Sequence, residues 1–444
     1  MRQFKPVLLS VMTLFALLFL SVPVQAQDLL DSHKGVSLSA FVPGDYLIIF
    51  REWTTPTDRG NSAHRAGASI RFNYSIVHGA AVFIPNDKVL AELQGDPSVA
   101  AIIPDRKVYA HAKPGNGGGT APAQVIPSGV ARIGAAPGNG TRTGNGIGVA
   151  VVDTGIDFNH GDLLPVGGPC FTAFSSCQDD NGHGTHVTGI IAARNNTIDV
   201  VGVAPEAIPY AVKVLDQTGS GSDATVIGGL DWIYQSANAV TPPIRVVNMS
   251  LGRPGTLDDN PLLRQAVQKI VNEIGISIVV SAGNDPKVEV SQQVPATYPE
   301  VMAIASTTAR DGSNKCKFFS GYIQADTASY FTTDGTFDPL TKIGVTISAP
   351  GETQENIFQG CLVKSDGILS TKLGGGTTKM SGTSMAAPHV TGVVARILES
   401  GQIFPEDVRA YLRITADRRL VVPLNSPTAA YTFDNEREGI VLAP

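Results

Sequence analysis

Along this chain the rhythm of apolar positions changes three times, and each change marks a different kind of segment. Residues 1–26 carry Arg2 and Lys5, then a nearly unbroken apolar run from Val7 to Leu20, and end in Val24-Gln25-Ala26. The run is shorter than the roughly 20 residues a membrane span needs, and the small residue at Ala26 suits signal peptidase. The pattern predicts a cleaved export signal and a soluble mature protein, extracellular or, in a Gram-negative cell, periplasmic. A polar lead covers 27–44. From Asp45 to residue 112, short apolar strands (46–50, 80–84, 99–103) separate a first helix and a second at 87–93. This predicts a small α+β domain whose two helices cover one face of its sheet. Residues 113–122 are Gly- and Pro-rich and read as a flexible linker.

From residue 123 to 444 the pattern is different again. The runs Ile147–Val152, Tyr210–Leu215, Arg245–Met249 and Ile276–Val280 are continuous rather than alternating. Strands buried on both faces look like this, and helical stretches lie between them. The expectation is one α/β domain with a largely parallel sheet and helices on both sides. Functional groups in such a sheet gather at the carboxyl ends of its strands.

Composition narrows the function. With 43% apolar and 16% charged residues the chain is globular, and a net charge of −6 without a basic cluster argues against nucleic-acid binding. Four cysteines in an exported chain allow three pairings; Cys170–Cys177 with Cys316–Cys361 is the preferred one, and no CxxC spacing suggests zinc.

Four segments carry candidate chemistry. Asp153 ends the apolar strand 147–152, where an unpaired carboxylate is costly and a histidine is a natural partner. In Asn181-Gly-His183-Gly-Thr-His186, the helical spacing of Val187, Ile190 and Ile191 puts His183 at a helix start and turns His186 into the packing. Ser384, in Gly382-Thr-Ser384-Met-Ala-Ala-Pro388, also begins a helix, whose free N–H groups favour a developing oxyanion. Asn284 follows the strand 276–280 and can donate its carboxamide to the same charge. Taken singly, each segment reads equally as a turn, a cap or a structural histidine.

Together these segments resemble the subtilisin-like serine proteases, the subtilase family, over residue 123 to the C-terminus. The order Asp, His, Ser is that family's. The resemblance implies that Ser384 attacks the scissile carbonyl, His183 takes its proton, Asp153 orients the base, and Asn284 with the Ser384 N–H holds the oxyanion. It further implies substrate-binding strands at Gly219-Ser220-Gly221 and Ser250-Leu251-Gly252. Gln293 falls near the floor of the pocket for the residue before the cut, and Asp223 at the rim of a pocket farther upstream. It implies a structural calcium ion held by Gln124, Asp162, Asn196 and the carbonyls of Arg194, Ile198 and Val200. The 45–112 block resembles the family's inhibitory propeptide, an intramolecular inhibitor and folding aid, with autoprocessing expected between Tyr109 and Thr120. The expected molecule is a monomeric serine endopeptidase acting on proteins or peptides, free of the membrane once its signal is removed. A catalytically dead scaffold, a narrow processing protease and an esterase are the rivals; the G-x-S-x-G pattern of an esterase elbow is absent at Ser384.

Overall fold

A computed structural model describes residues 37–114, 119, 123–172, 176–419 and 438–444. The predicted export signal, most of the lead and most of the linker lie outside the described residues. The first unit runs β1 (Phe41–Phe50), α1 (Pro56–Ala66), β2 (Ser69–Asn73), β3 (Gly79–Phe83), α2 (Asp87–Gly95) and β4 (Val99–Ala110). Its antiparallel strand order is β4-β1-β3-β2, the βαββαβ arrangement. Thr55 caps α1 by accepting from the Asp58 N–H, while Asp58 bonds back to Thr55 N, a reciprocal pair that fixes the helix start.

Alternation along these strands divides the side chains between two cores. Ile48, Val82 and Ile102 pack with Val89 and Leu93 of α2 and Ala63 of α1. Leu47, Ala81 and Ile103 face the other way, into the main core of the second unit. The sheet is therefore covered by its own helices on one face and by the larger domain on the other.

After β5 (Lys113–Pro114) and α3 (Ser128–Arg132) come β6 (Gly148–Asp153), β7 (Val166–Cys170), α4 (His183–Ala192), β8 (Ile208–Lys213), β9 (Ser220–Ser222), α5 (Asp223–Ser236) and β10 (Ile244–Met249). Then follow β11 (Leu251–Pro254), α6 (Pro261–Gln268), β12 (Ser277–Ser281), β13 (Gln293–Val294), β14 (Met302–Thr308), β15 (Val345–Glu352) and two hairpins. The hairpins are β16 (Gln354–Ile357) with β17 (Val363–Asp366), and β18 (Ile368–Thr371) with β19 (Thr377–Ser381). α7 (Thr383–Leu398) and α8 (Pro405–Thr415) end the series.

The predicted parallel sheet is present, in the order β15-β14-β12-β10-β6-β8-β7. Its continuous apolar strands feed both faces by turns. Val149, Val151, Val246 and Val279 pack against α4 and α7, while Ala150, Val152, Val247 and Val280 pack against α5 and α6. Asp231 of α5 docks the first unit by accepting from Ser75 N, Ser75 Oγ and Ile76 N at 2.6–3.0 Å. Among the described residues no helix is long and apolar enough to cross a membrane.

Two sequence expectations change. The start of the linker is strand: Lys113 and Pro114 pair with Ser381 and Met380 of β19. Of the two expected disulfides, Cys316–Cys361 is formed and Cys170–Cys177 is not. Cys177 Sγ is turned to the backbone and donates to the Gly168 carbonyl at 2.9 Å. Burial, and secondarily the neighbouring Cys170, pushes its thiol up to about 11, away from the thiolate that oxidation requires. The formed bridge closes a 45-residue separation around the segment between β14 and β17, a loop size worth about 3–4 kcal/mol in the chain-entropy account. Non-reducing peptide mapping of the purified protein is expected to find 316 linked to 361, with Cys170 and Cys177 alkylated once the chain is denatured. A 170–177 cross-link contradicts this assignment.

Candidate active site

The carboxyl ends of β6 and β12 and the amino ends of α4 and α7 meet at one place. Asp153, fully buried at the end of β6, accepts at Oδ1 from the Thr154 N–H at 2.7 Å and lies 2.7 Å from His183 Nδ1. That contact fixes the ring orientation and leaves Nε2 as the nitrogen facing the cleft, without a hydrogen-bond partner. Gly184 is what lets α4 begin so close to β6: a Cβ there would overlap the Gly155 carbonyl and touch Asp153. Asp179 pins the same helix start, accepting from Gly182 N at 2.9 Å and from Thr185 N at 2.9 Å. His186 takes the packing role expected of it, with Nε2 3.0 Å from the Ile368 carbonyl. Burial, foremost, lowers its pKa to about 3, so it stays neutral.

Ser384 is the second residue of α7 and is fully buried. Its Oγ donates to the Ser250 carbonyl at 3.0 Å rather than to His183. Asn284 is held by Thr383, which donates to its Oδ1 from N at 2.9 Å and from Oγ1 at 3.0 Å. The carboxamide nitrogen is thereby aimed at the space in front of Ser384. Thr383 was not singled out from sequence, although its place between the glycine and the serine is the available signal.

That space is filled by the chain itself. β4 leaves the first unit and runs between the two predicted substrate strands, antiparallel to both. Lys107, Val108 and Tyr109 pair with Ser222, Gly221 and Ser220; Tyr109 and Ala110 pair with Gly252 and Leu251. Ala110 N donates to Gly219 O at 3.0 Å and His111 N to Ser250 O at 3.3 Å. The His111 carbonyl then accepts from Asn284 Nδ2 at 2.8 Å and from Ser384 N at 3.3 Å. A Cβ at Gly382 would collide with that oxygen, so glycine is needed at this approach. The His111 ring lies against Gly252, where a Cβ would fall 2.6 Å from Cε1, and its Nδ1 is 2.9 Å from Ser281 Oγ. Gln293 is buried beside Gly283, the residue before Asn284.

Asp223 departs from its predicted place at a pocket rim. It is the first residue of α5, 1% exposed, and gripped by Arg253 through Nε at 2.9 Å and the terminal nitrogen at 2.6 Å. A carboxylate this deep requires a paired cation, which the sequence spacing did not reveal. Asp216, another acid near the cleft, is spent on its own turn, accepting from Thr218 N and Ser220 N.

The predicted metal residues also come together. Gln124 Nε2 donates to Arg194 O at 2.7 Å, Val200 O at 3.2 Å and Asn196 Oδ1 at 3.3 Å. Asp162 sits behind them, taking bonds from Asn196 Nδ2 at 2.7 Å and Val200 N at 3.1 Å. Burial, foremost, raises its carboxyl to about 6.

Comparison with known proteins agrees with this geometry. The family model described as the subtilase family matches residues 144–438. Subtilisin J of Geobacillus stearothermophilus is 32% identical over 400 residues, covering 88% of this chain and 87% of that protein. Subtilisin E of Bacillus subtilis is 34% identical over 338 residues, 75% of this chain and 73% of that one. The crystal structure of a cold adapted subtilisin-like serine proteinase superposes with a TM-score of 0.50 at 26% identity, covering 69% of this chain and 92% of its own. With a buried Asp–His pair, a serine at a helix start and this breadth of likeness, the chain belongs to the subtilase family and is a serine endopeptidase.

Proposed function

We propose that this chain is the inhibited precursor of an exported endopeptidase, in which residues 45–111 are a propeptide and the bond between His111 and Ala112 is the enzyme's first substrate. The observation that carries the reading is the His111 carbonyl, which sits between Asn284 Nδ2 and Ser384 N with Ser384 Oγ close by. Two converging donors on one backbone oxygen are what acyl transfer requires at the scissile carbonyl.

The steps follow from the groups present. Ser384 Oγ turns from the Ser250 carbonyl toward His183 Nε2 by rotation about its Cα–Cβ bond, and passes its proton there as the oxygen attacks the His111 carbonyl carbon. Asp153 holds the imidazole in the tautomer with Nδ1 protonated and stabilises the imidazolium that forms. Asn284 and the Ser384 N–H take the negative charge of the tetrahedral intermediate. His183 then protonates the Ala112 nitrogen, the peptide bond breaks, and water attacks the acyl-enzyme by the reverse path. Substrates in trans would bind as β4 does, through backbone pairing with β9 and β11. Such pairing tolerates many sequences and supports a broad degradative role.

The oxygen atoms facing Gln124 suit a calcium ion. Three of them lie within hydrogen-bond reach of the Gln124 N–H₂, the carboxamide reverses by a simple flip, and the donor set is all oxygen. Asp162, Gln124, Asn196 and the carbonyls of Arg194, Ile198 and Val200 would hold the ion. It would tie the α4–β8 connection to the residues before α3 and take no part in the chemistry.

Two outcomes are expected. Full-length wild type splits and hydrolyses casein, whereas Ser384→Ala stays whole and silent; Asn284→Leu retains activity reduced about 10²–10³-fold in kcat. An active Ser384→Ala protein contradicts the assignment of the nucleophile. Separately, a calcium chelator lowers the unfolding midpoint of the wild type by about 5 °C or more. Asp162→Asn removes that sensitivity, and a midpoint indifferent to chelator in the wild type contradicts the site.

A further inference from the structure

Upstream of the paired segment, β4 presents Arg106 to the protease. Side chains two apart on an extended strand share a face. Val108 is buried in the main core, and Arg106 points the same way. One guanidinium nitrogen of Arg106 donates to Asp259 Oδ2 at 2.5 Å and the other to the Pro254 carbonyl at 2.8 Å. The side chains of Arg106 and Asp259 are 6% and 11% exposed.

The receiving groups are fixed without Arg106. Asp259 accepts from the two terminal nitrogens of Arg253 at 3.1 and 3.2 Å and from Thr256 N at 3.3 Å. Arg253 is 2% exposed and forked on Asp223, which Asn260 Nδ2 also contacts at 2.8 Å. Within this protease-side cluster two carboxylates face one guanidinium, which leaves one negative charge uncompensated. Arg106 supplies the missing positive charge. Once the first unit departs, the same carboxylate and carbonyl are uncovered toward the cleft with a net negative charge.

We propose that Asp259 and the Pro254 carbonyl form a guanidinium-binding subsite of the mature enzyme, which selects arginine at the position five residues before the residue whose carbonyl is cleaved. The inference rests on the reading of His111 as that residue, since Arg106 precedes it by five positions. A substrate strand paired with β9 and β11 in the register of β4 delivers its arginine to Asp259 by the same two-residue repeat. Backbone pairing alone is indifferent to sequence, so this subsite adds a preference at a distance from the bond that is broken.

The test uses wild-type enzyme expressed as the full chain and allowed to mature, with quenched peptides spanning residues 105–114. The parent peptide is compared with versions carrying Lys, Gln or Glu in place of Arg106. The expected order of kcat/KM is Arg, Lys, Gln, Glu, with about a tenfold loss from Arg to Gln, carried in KM. In Asp259→Asn enzyme the ratio of Arg to Gln peptide falls close to one. The wild-type series needs no variant and decides the matter even where Asp259→Asn fails to fold. Cleavage at His-Ala with equal kcat/KM for all four peptides overturns the subsite and leaves the autoprocessing register standing. Absence of cleavage at His-Ala in every peptide overturns the register and the subsite with it.

Discussion

The backbone pairing of Lys107–Ala110 with β9 on one side and β11 on the other is the constraint on which the rest of the site depends. Hydrogen bonds on both edges set the register of the segment, and register decides which carbonyl arrives at Asn284 and Ser384. A slip of one residue would turn every side chain to the opposite face. Val108 would then leave the core and Arg106 would lose Asp259. The electrostatic contacts and the apolar ones thus enforce the same alignment, and the His111 carbonyl is where that alignment ends.

The contact of the first unit with the protease is more than the cleft segment. Its sheet lies on α5 and α6, with Tyr74 donating to the Ala224 carbonyl at 2.9 Å and Asp105 accepting from Ala224 N at 3.0 Å. Asp105 occupies the amino end of α5, where a negative charge is favoured. Yet burial, and then the nearby Asp223, raises its pKa to about 7. The carboxyl takes up a proton on docking relative to its ordinary acidic value. This contact therefore strengthens as pH falls from about 7 toward the ordinary carboxylate range, and is weakest above it. Alkaline conditions favour separation of the two units.

Much of this was legible in the sequence. The continuous apolar strands announced the parallel sheet, and Asp153, His183, Asn284 and Ser384 could be named because each sits where a strand ends or a helix begins. What was missed has physical causes. β2 is an edge strand, mostly exposed, so Ser69–Asn73 carries no alternation to detect. β4 runs on to Ala110 because Arg106, which breaks its apolar pattern, is paired with Asp259, and Lys107 continues the strand by backbone pairing with Ser222. Asp223 was expected at a pocket rim because its partner Arg253, 30 positions away, leaves no signal in the local sequence. The absence of the Cys170–Cys177 bridge is not legible in the sequence, because the direction of Cys177 Sγ toward Gly168 is a tertiary property.

The central claim is that the chain is threaded through its own active site with His111 at the point of cleavage. The most direct test is the intact mass of the fragments formed by freshly expressed wild type. The account predicts a protease fragment that begins at Ala112 and a propeptide fragment that ends at His111. A first cut elsewhere in the 109–120 segment, or the same cut in Ser384→Ala, would contradict it.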